Sequence, residues 1–258
     1  MNDLRFALRQ LLKNPAFTII AILALALGIG ANTAIFSVVN AVLLRPLPYP
    51  QPDDLIVLRE RTASFPNGSV SYPNYLDWRA GQHSFTDLSL VRRDTFNMAI
   101  PGGRTASERI GGARVTFNYF NVLKMKPIIG RDFAEADDTA GSAPVVLIGE
   151  TIWRTRFGGS QKVLGQQITV DGVPREIIGV LPAEIKFPRL SQIWVPLAEL
   201  RKQESVLNRD NHPGFSVLGR LKPGVSLTKA NADLDTIAVA LEKEYPKSNT
   251  TRRVYMKG

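Results

Sequence analysis

The stretch from Ala16 to Leu44 carries no charged side chain. About 20 apolar residues let a helix cross a bilayer core of about 30 Å. At ~1.5 Å per residue this run reaches ~43 Å, enough to span and protrude. Everything after Leu44 therefore belongs to one side of a membrane, and the flanks decide which. Arg5, Arg9 and Lys13 precede the run against a single Asp3, and basic flanks are retained on the cytoplasmic side. The N-terminus is expected in the cytoplasm and everything from Arg45 onward outside it, in the periplasm if the cell is Gram-negative. The competing reading is a cleaved signal peptide, whose apolar region is usually about 7–15 residues. Ala24-Leu25-Ala26 could mimic its cleavage site, but apolar sequence continues well past Ala26, as far as Leu44.

Residues 1–14 add a second feature. Leu4, Ala7, Leu8, Leu11 and Leu12 share one side of a helical wheel, opposite Arg5, Arg9 and Lys13. Such a helix suits the headgroup zone, although a basic flank that merely orients insertion gives the same composition. Asn14-Pro15 should break it. The spanning segment, 15–44, is not uniformly apolar. Ala24, Gly28 and Asn32 recur at four-residue spacing, as do Gly30 and Ala34. Small residues at that spacing let helices approach, and Asn can hydrogen-bond across them. Packing against other spanning helices, from a second copy or from a permease, and a lone anchor with wet outer turns are both open. Gly28-Ile29-Gly30 lacks a preceding strand and a third glycine, so a dinucleotide site is discarded.

Residues 45–53, with Pro46, Pro48, Pro50 and Pro52, read as a stiff, extended linker holding residues 54–258 off the membrane. Beyond Leu44 basic side chains outnumber acidic ones, but they are scattered rather than clustered, which argues against nucleic acid. Cysteine is absent, so disulfides and thiolate metal sites are excluded. Leu55–Leu58 reads as a buried strand. Ser71 caps a helix with Pro73 in its first turn and Tyr72, Tyr75 and Trp78 on its buried face. The signal is β from Ser84 to Val115, and Thr116 is placed to cap a helix through Phe117, Phe120 and Leu123. Pro144–Gly149 is a buried strand, and Glu150–Phe157 a short helix stopped by Gly158-Gly159. Gln167–Val180 is a hairpin turning at Asp171-Gly172. Trp194–Leu197 is expected at a sheet edge because of Pro196. Phe215–Leu221 is another strand. Ser226 or Thr228 caps the longest helix of this part, with Ala230, Leu234, Ile237, Ala238 and Leu241 on its buried face. Arg252–Met256 starts a last strand.

Catalytic machinery is not visible. His83 and His212 stand in polar stretches without metal-ligand spacing and read as surface histidines. There is no G-x-S-x-G elbow. Asp53-Asp54 and Asp137-Asp138 read as solvated loop pairs. Gly158–Lys162 lacks the phosphate-loop arrangement.

A series of short stretches then resembles one family almost end to end. They are Leu4–Leu11, Pro15–Thr18, Ala26–Phe36, Leu44–Tyr49, Ser71-Tyr72-Pro73 with Trp78, Gly130–Phe133, Phe157–Gly159, Ile178–Pro182, Trp194–Leu197 and Gly219–Val225. In this order they resemble the N-terminal part of MacB-type ABC transporter permeases, of the orphan kind found in Acidobacteria. The resemblance implies an α+β fold: one N-terminal transmembrane helix, then a periplasmic porter-like α+β domain with a mainly β second subdomain inserted in it. It implies a non-catalytic component with no cofactor of its own, ATP being bound by a separate or fused ATPase. A homodimer and a periplasmic adaptor are the further partners it suggests. It also implies that family members continue, past the point where this chain stops, into an FtsX-like permease domain with at least three more spans. The expected function is to couple membrane-helix motion to substrate or an outer partner. The rivals are a membrane-tethered interaction module working without ATP and, more remotely, an anchored hydrolase.

Overall fold

The computed structural model describes residues 9, 11–39, 48–102, 107–185 and 187–257. Arg5 and Pro46 lie outside them, as does most of the 1–14 segment. The chain divides into two units, Met1–Leu47 and Pro48–Gly258.

In the first unit, helix α1 (Pro15–Val39) has 25 residues, or ~37 Å. Its stretch Pro15–Ser37 has a mean hydropathy of 2.3 and is not buried within the protein. Ala24, Gly28, Gly30, Asn32 and Ala34 are all exposed, and a methyl group added at Gly28 or Gly30 would meet nothing within 4 Å. Leu11–Lys13 are helical and Asn14 is not. The Thr18 hydroxyl stitches this break, lying 2.7 Å from the Leu11 carbonyl and 3.0 Å from that of Asn14.

The second unit begins with β1 (Leu55–Arg61), α2 (Tyr72–Gly81), β2 (Phe85–Ala99), β3 (Glu108–Val115), α3 (Tyr119–Leu123) and β4 (Ile129–Gly130). It continues with β5 (Val145–Gly149), α4 (Glu150–Phe157), β6 (Gln167–Val170), β7 (Val173–Leu181), β8 (Ile193–Pro196) and α5 (Glu204–Leu207). It closes with β9 (Ser216–Leu221), α6 (Leu227–Glu244), α7 (Pro246–Asn249) and β10 (Arg253–Lys257).

The outer parts of this unit form one α+β subdomain. β1-α2-β2 and β9-α6-β10 are two β-α-β halves whose strands interleave in the order β10-β1-β9-β2, every neighbour antiparallel. This is the split β-α-β arrangement. Ser71 caps α2 by accepting from the Asn74 amide at 3.3 Å, and Pro73 sits where a missing donor costs nothing. Tyr72, Tyr75 and Trp78 are buried as the periodicity requires. Ser226, not Thr228, caps α6, accepting from the Lys229 amide at 3.2 Å. Ala230, Leu234, Ala238 and Leu241 are buried and Ile237 half-buried. Both helices pack on one sheet face, over Leu58, Phe85, Leu88 and Val217.

Between β2 and β9 the chain builds the mainly β subdomain. Its strands pair in the ring β2-β3-β8-β5-β7-β6, and β6 closes it by pairing with the far end of β2 at Met98↔Val170 and Ala99↔Thr169. Phe96, Met98, Ile110, Val146, Ile148, Ile168, Val170, Ile177, Ile193 and Val195 form one core cluster, the alternate positions expected to point into a small barrel. The hairpin turns at Asp171 (φ 51°) and Gly172 (φ 78°), the left-handed pair a two-residue turn demands. At Gly179 an added Cβ would lie 2.5 Å from the Arg131 carbonyl, so the crossing of β4 over β7 leaves no space for a side chain.

Two sequence expectations are corrected. Trp194–Leu197 is not at an edge: β8 lies between β3 and β5. Pro196 is its last residue, where the missing donor interrupts no ladder. Thr116 does not cap α3. Its hydroxyl accepts from the Leu90 amide and bonds Asn118 Oδ1, tying the start of α3 to β2, and Asn118 stands at the cap position.

Candidate coupling site

The sheet face away from α2 and α6 buries an arginine. Along β9, Val217 and Leu221 point to the helices, so Leu218 and Arg220 point the other way. Arg220 is 2 % exposed. A charge so deep needs its donors satisfied, and the guanidinium offers five in a rigid fork. Its acceptors among the described residues are all carbonyl oxygens. Nε donates to Val122 O at 2.8 Å and Nη2 to Leu123 O at 3.3 Å. Nη1 donates to Pro50 O at 2.9 Å and Gln51 O at 3.0 Å. The first two carbonyls end α3, where helix carbonyls lack partners and the helix dipole favours a cation. The second two belong to the lead-in segment Pro48–Asp54, whose prolines give it no regular pairing. Burial pulls the Arg220 pKa below its ordinary value, with the Asp54 carboxylate opposing.

The lead-in segment is therefore packed rather than free-standing. Tyr49 is 5 % exposed and belongs to the cluster of Leu55, Leu218, Phe120, Leu147 and Trp194. Its hydroxyl accepts from the Phe187 amide at 2.9 Å, while Tyr119 donates to the Phe187 carbonyl at 2.6 Å. Lys124 Nζ lies 2.7 Å from Gln51 Oε1. Gln51 adopts φ 44°, and Pro52–Asp54 form a 3-10 turn leading into β1. Pro48, Pro50 and Pro52 thus lie on a turned segment, where the sequence suggested an extended spacer. Bonds to Arg220 and Lys124 hold the turn.

The same cluster joins α3 to the barrel wall. Phe120 meets Trp194 edge-on at 5.9 Å and Tyr119 at 5.0 Å. The start of α3 is held by Asn118, which donates to Asp87 at 2.6 Å and Leu88 O at 2.9 Å. Burial raises the Asp87 pKa, but Arg79 and Asn118 outweigh it and hold the carboxyl below its ordinary range. One route of contacts thus runs from the lead-in segment through Arg220 and α3 to β8.

Asp132, beside Phe133 of this cluster, shows the opposite balance. Burial pushes its carboxyl up to about 7, helped by Asp137 and opposed by the Phe133 amide. A carboxyl that binds its proton more tightly folded than unfolded adds stability at low pH, and the contribution is lost as pH rises from about 4 to about 7. Asp132→Asn should flatten that decline, raising the melting temperature at pH 8 and leaving it unchanged at pH 4. Melting curves at the two pH values check this.

The acidic pair Asp137-Asp138 is not a solvated one. Asp138 is 3 % exposed, 2.7 Å from Arg201, and burial raises its pKa. Asp137 pairs with Arg131 at 2.5 Å. His83 is exposed. His212 is half-buried and not a lone surface histidine: its Nε2 lies 2.8 Å from the buried Glu60. No group of three His, Cys, Asp or Glu among the described residues could hold a metal ion. Sequence reasoning missed Arg220 as a junction. The signal was there, a lone arginine inside the apolar run Phe215–Leu221.

The comparisons with known proteins converge on one family. The model of the MacB-like periplasmic core domain matches residues 18–237. The macrolide export ATP-binding/permease protein MacB 2 of Aeromonas hydrophila is 36 % identical over 137 residues, covering 50 % of this chain and 20 % of that protein. The MacB of Rhodospirillum rubrum is 31 % identical over 117 residues, covering 39 % and 18 %. The chain thus matches about a fifth of the length of these relatives. Among solved structures, the periplasmic region of MacB from Actinobacillus actinomycetemcomitans superposes with a TM-score of 0.57 at 16 % identity, covering 80 % of this chain and 88 % of its own. A domain of a putative permease from Porphyromonas gingivalis gives 0.61 at 15 % identity, covering 81 % and 92 %. The extracellular domain of the ABC-type transporter YknZ gives 0.56 at 18 %, covering 78 % and 99 %. These likenesses carry the fold, and the family match over residues 18–237 places this chain in the MacB-like periplasmic core domain family.

Proposed function

We propose that the chain is the membrane-anchored periplasmic arm of an ABC-type permease and that it works by transmitting displacement. The observation that carries this reading is the Arg220 junction, which fixes Pro50 and Gln51 to both the porter-like sheet and α3. Displacement delivered to Pro50 and Gln51 would, in this reading, reach the barrel through that junction. In this reading α1 spans the inner membrane with Arg5, Arg9 and Lys13 in the cytoplasm. Ala24, Gly28, Gly30, Asn32 and Ala34 face other spanning helices, of a permease or of a second copy. ATP is bound and hydrolysed by a partner ATPase, while the arm engages substrate or a periplasmic adaptor and does no chemistry itself.

Replacing Pro46, Pro48, Pro50 and Pro52 together by Gly in the intact transporter tests it. Glycine restores backbone freedom that proline removes. Export should fall severalfold while ATP hydrolysis continues. Export at the unaltered rate would remove the lead-in segment from the mechanism and favour a tethered module that works without ATP.

A further inference from the structure

β1 runs from the lead-in segment to Arg61, so Glu60 lies at the opposite end of the porter-like sheet. Glu60 is 1 % exposed. Its Oε1 accepts from Asn74 Nδ2 at 2.8 Å and the Ser71 amide at 3.2 Å. Its Oε2 accepts from Arg252 Nη1 at 2.8 Å and lies 2.8 Å from His212 Nε2. Arg252 Nη1 is in turn 2.9 Å from the same His212 nitrogen. Three atoms thus stand mutually within hydrogen-bond range. One can only donate and one can only accept. The third, Nε2, can do either.

The other imidazole nitrogen removes the ambiguity about tautomer. Nδ1 lies 2.9 Å from the Asp210 carbonyl, which only accepts, so Nδ1 carries a proton in either state. Neutral His212 then has a bare Nε2. It accepts from Arg252, but its lone pair faces the Glu60 carboxylate within hydrogen-bond distance. Charged His212 donates Nε2–H to Glu60, a charge-assisted bond, and its N–H now faces Arg252. The triangle cannot satisfy all three contacts in either state, so adding one proton exchanges one bond for another.

The exchange sits where it has leverage. His212 belongs to the 208–214 loop before β9, and its carbonyl accepts from Ser69 Oγ of the 62–70 loop at 2.9 Å. Both loops line a cavity of about 530 Å³ with Glu60, Arg61, Asp210 and Arg252, and Phe65, 70 % exposed, lines it as well. Arg209 of the same loop is held apart by Asp77 at 2.6 Å and by the Tyr245 ring, so it does not compete for Glu60. Arg61 and Asp210 line the cavity with opposite charges.

We infer that His212 is a proton-operated fastener between the 208–214 loop and the Glu60 end of β1: protonated it is held to Glu60 directly, narrowing the Phe65 cavity, and neutral it is held only through Arg252. Histidine is the side chain that changes charge between pH 5 and 8, the range an extracytoplasmic surface meets. The inference is independent of the transport reading. Hydrogen exchange of the full-length chain in nanodiscs, at pH 5.5 and pH 8 with exchange times matched for intrinsic chemistry, tests it. Peptides covering 62–70 and 208–214 should exchange severalfold more slowly at pH 5.5, because a bond between two charged groups replaces one between a charged and a neutral group. His212→Gln should abolish the difference, whereas His83→Gln, at the exposed histidine, should keep it. Equal protection at both pH values in the unaltered chain would overturn the inference. A difference that vanishes with His83→Gln would do so as well. Should His212→Gln fail to fold, Glu60→Gln answers instead, since a neutral amide gives the proton no charged partner and the difference should shrink.

Discussion

Arg220→Met should lower the unfolding free energy by about 3–5 kcal/mol, from at least two buried acceptors at ~1–3 kcal/mol each. The Val122 and Leu123 carbonyls are bonded in buried positions, so no water replaces the lost donors. Those of Pro50 and Gln51 are only partly buried and can be rehydrated once the lead-in segment moves. Methionine keeps most of the stem's apolar packing and removes the fork, which isolates the polar loss. Arg220→Lys should recover only part, because one ammonium cannot reach both carbonyl pairs in the guanidinium's geometry. Urea unfolding of the three proteins, read by tryptophan fluorescence, measures it. A stability for Arg220→Met within about 1 kcal/mol of the parent would mean that the junction is decorative. Hydrogen exchange over residues 48–54 should rise in the same variant even below the unfolding transition.

The second large effect is expected at Trp194, where the barrel wall meets α3. Trp194 is 2 % exposed and packs edge-on against Phe120, but its indole N–H has no hydrogen-bond partner among the described residues. Trp194→Ala should cost about 3–5 kcal/mol, through lost burial and the cavity left behind. Trp194→Phe should cost under about 1.5 kcal/mol, because it keeps an aromatic ring against Phe120 and also removes a buried unpaired donor. Equal losses for the two variants would show that the indole N–H has a partner after all, or that the second ring is what fills the site. The same unfolding assay, monitored by circular dichroism to avoid the lost fluorophore, measures both losses.

Much of the fold was legible because its signals are local. Ser71 and Ser226 announce helix starts through a hydroxyl three residues before an amide. Asp171-Gly172 announces a turn through the φ angles it tolerates. Leu55–Leu58 and Pro144–Gly149 read as strands through unbroken apolar runs. What was not legible depends on residues far apart in the chain. The closure of the barrel rests on Met98 meeting Val170, which no local pattern encodes. Pro196 suggested an edge because the rule concerns a missing donor, and only the pairing of β8 shows that the donor was not needed. Charged residues misled most. His212 and Asp138 look solvated in sequence, since their partners Glu60 and Arg201 lie far away along the chain. The coupling reading of the prolines came from composition, but the arginine that pins them had to be seen in space.

The barrel leaves the porter-like sheet along β2 and the chain returns along β9, and these two strands are neighbours whose last paired rung is Val91↔Ser216. Residues facing each other on adjacent strands are about 5 Å apart. Everything between that rung's two ends is therefore an excursion that begins and finishes at nearly one point. An excursion of that kind can lengthen, shrink or be exchanged over evolutionary time without shifting the register of the strands that frame it. A replacement must still meet the frame where this excursion does: two carbonyls at Arg220, an amide at Asp87 and an imidazole at Glu60.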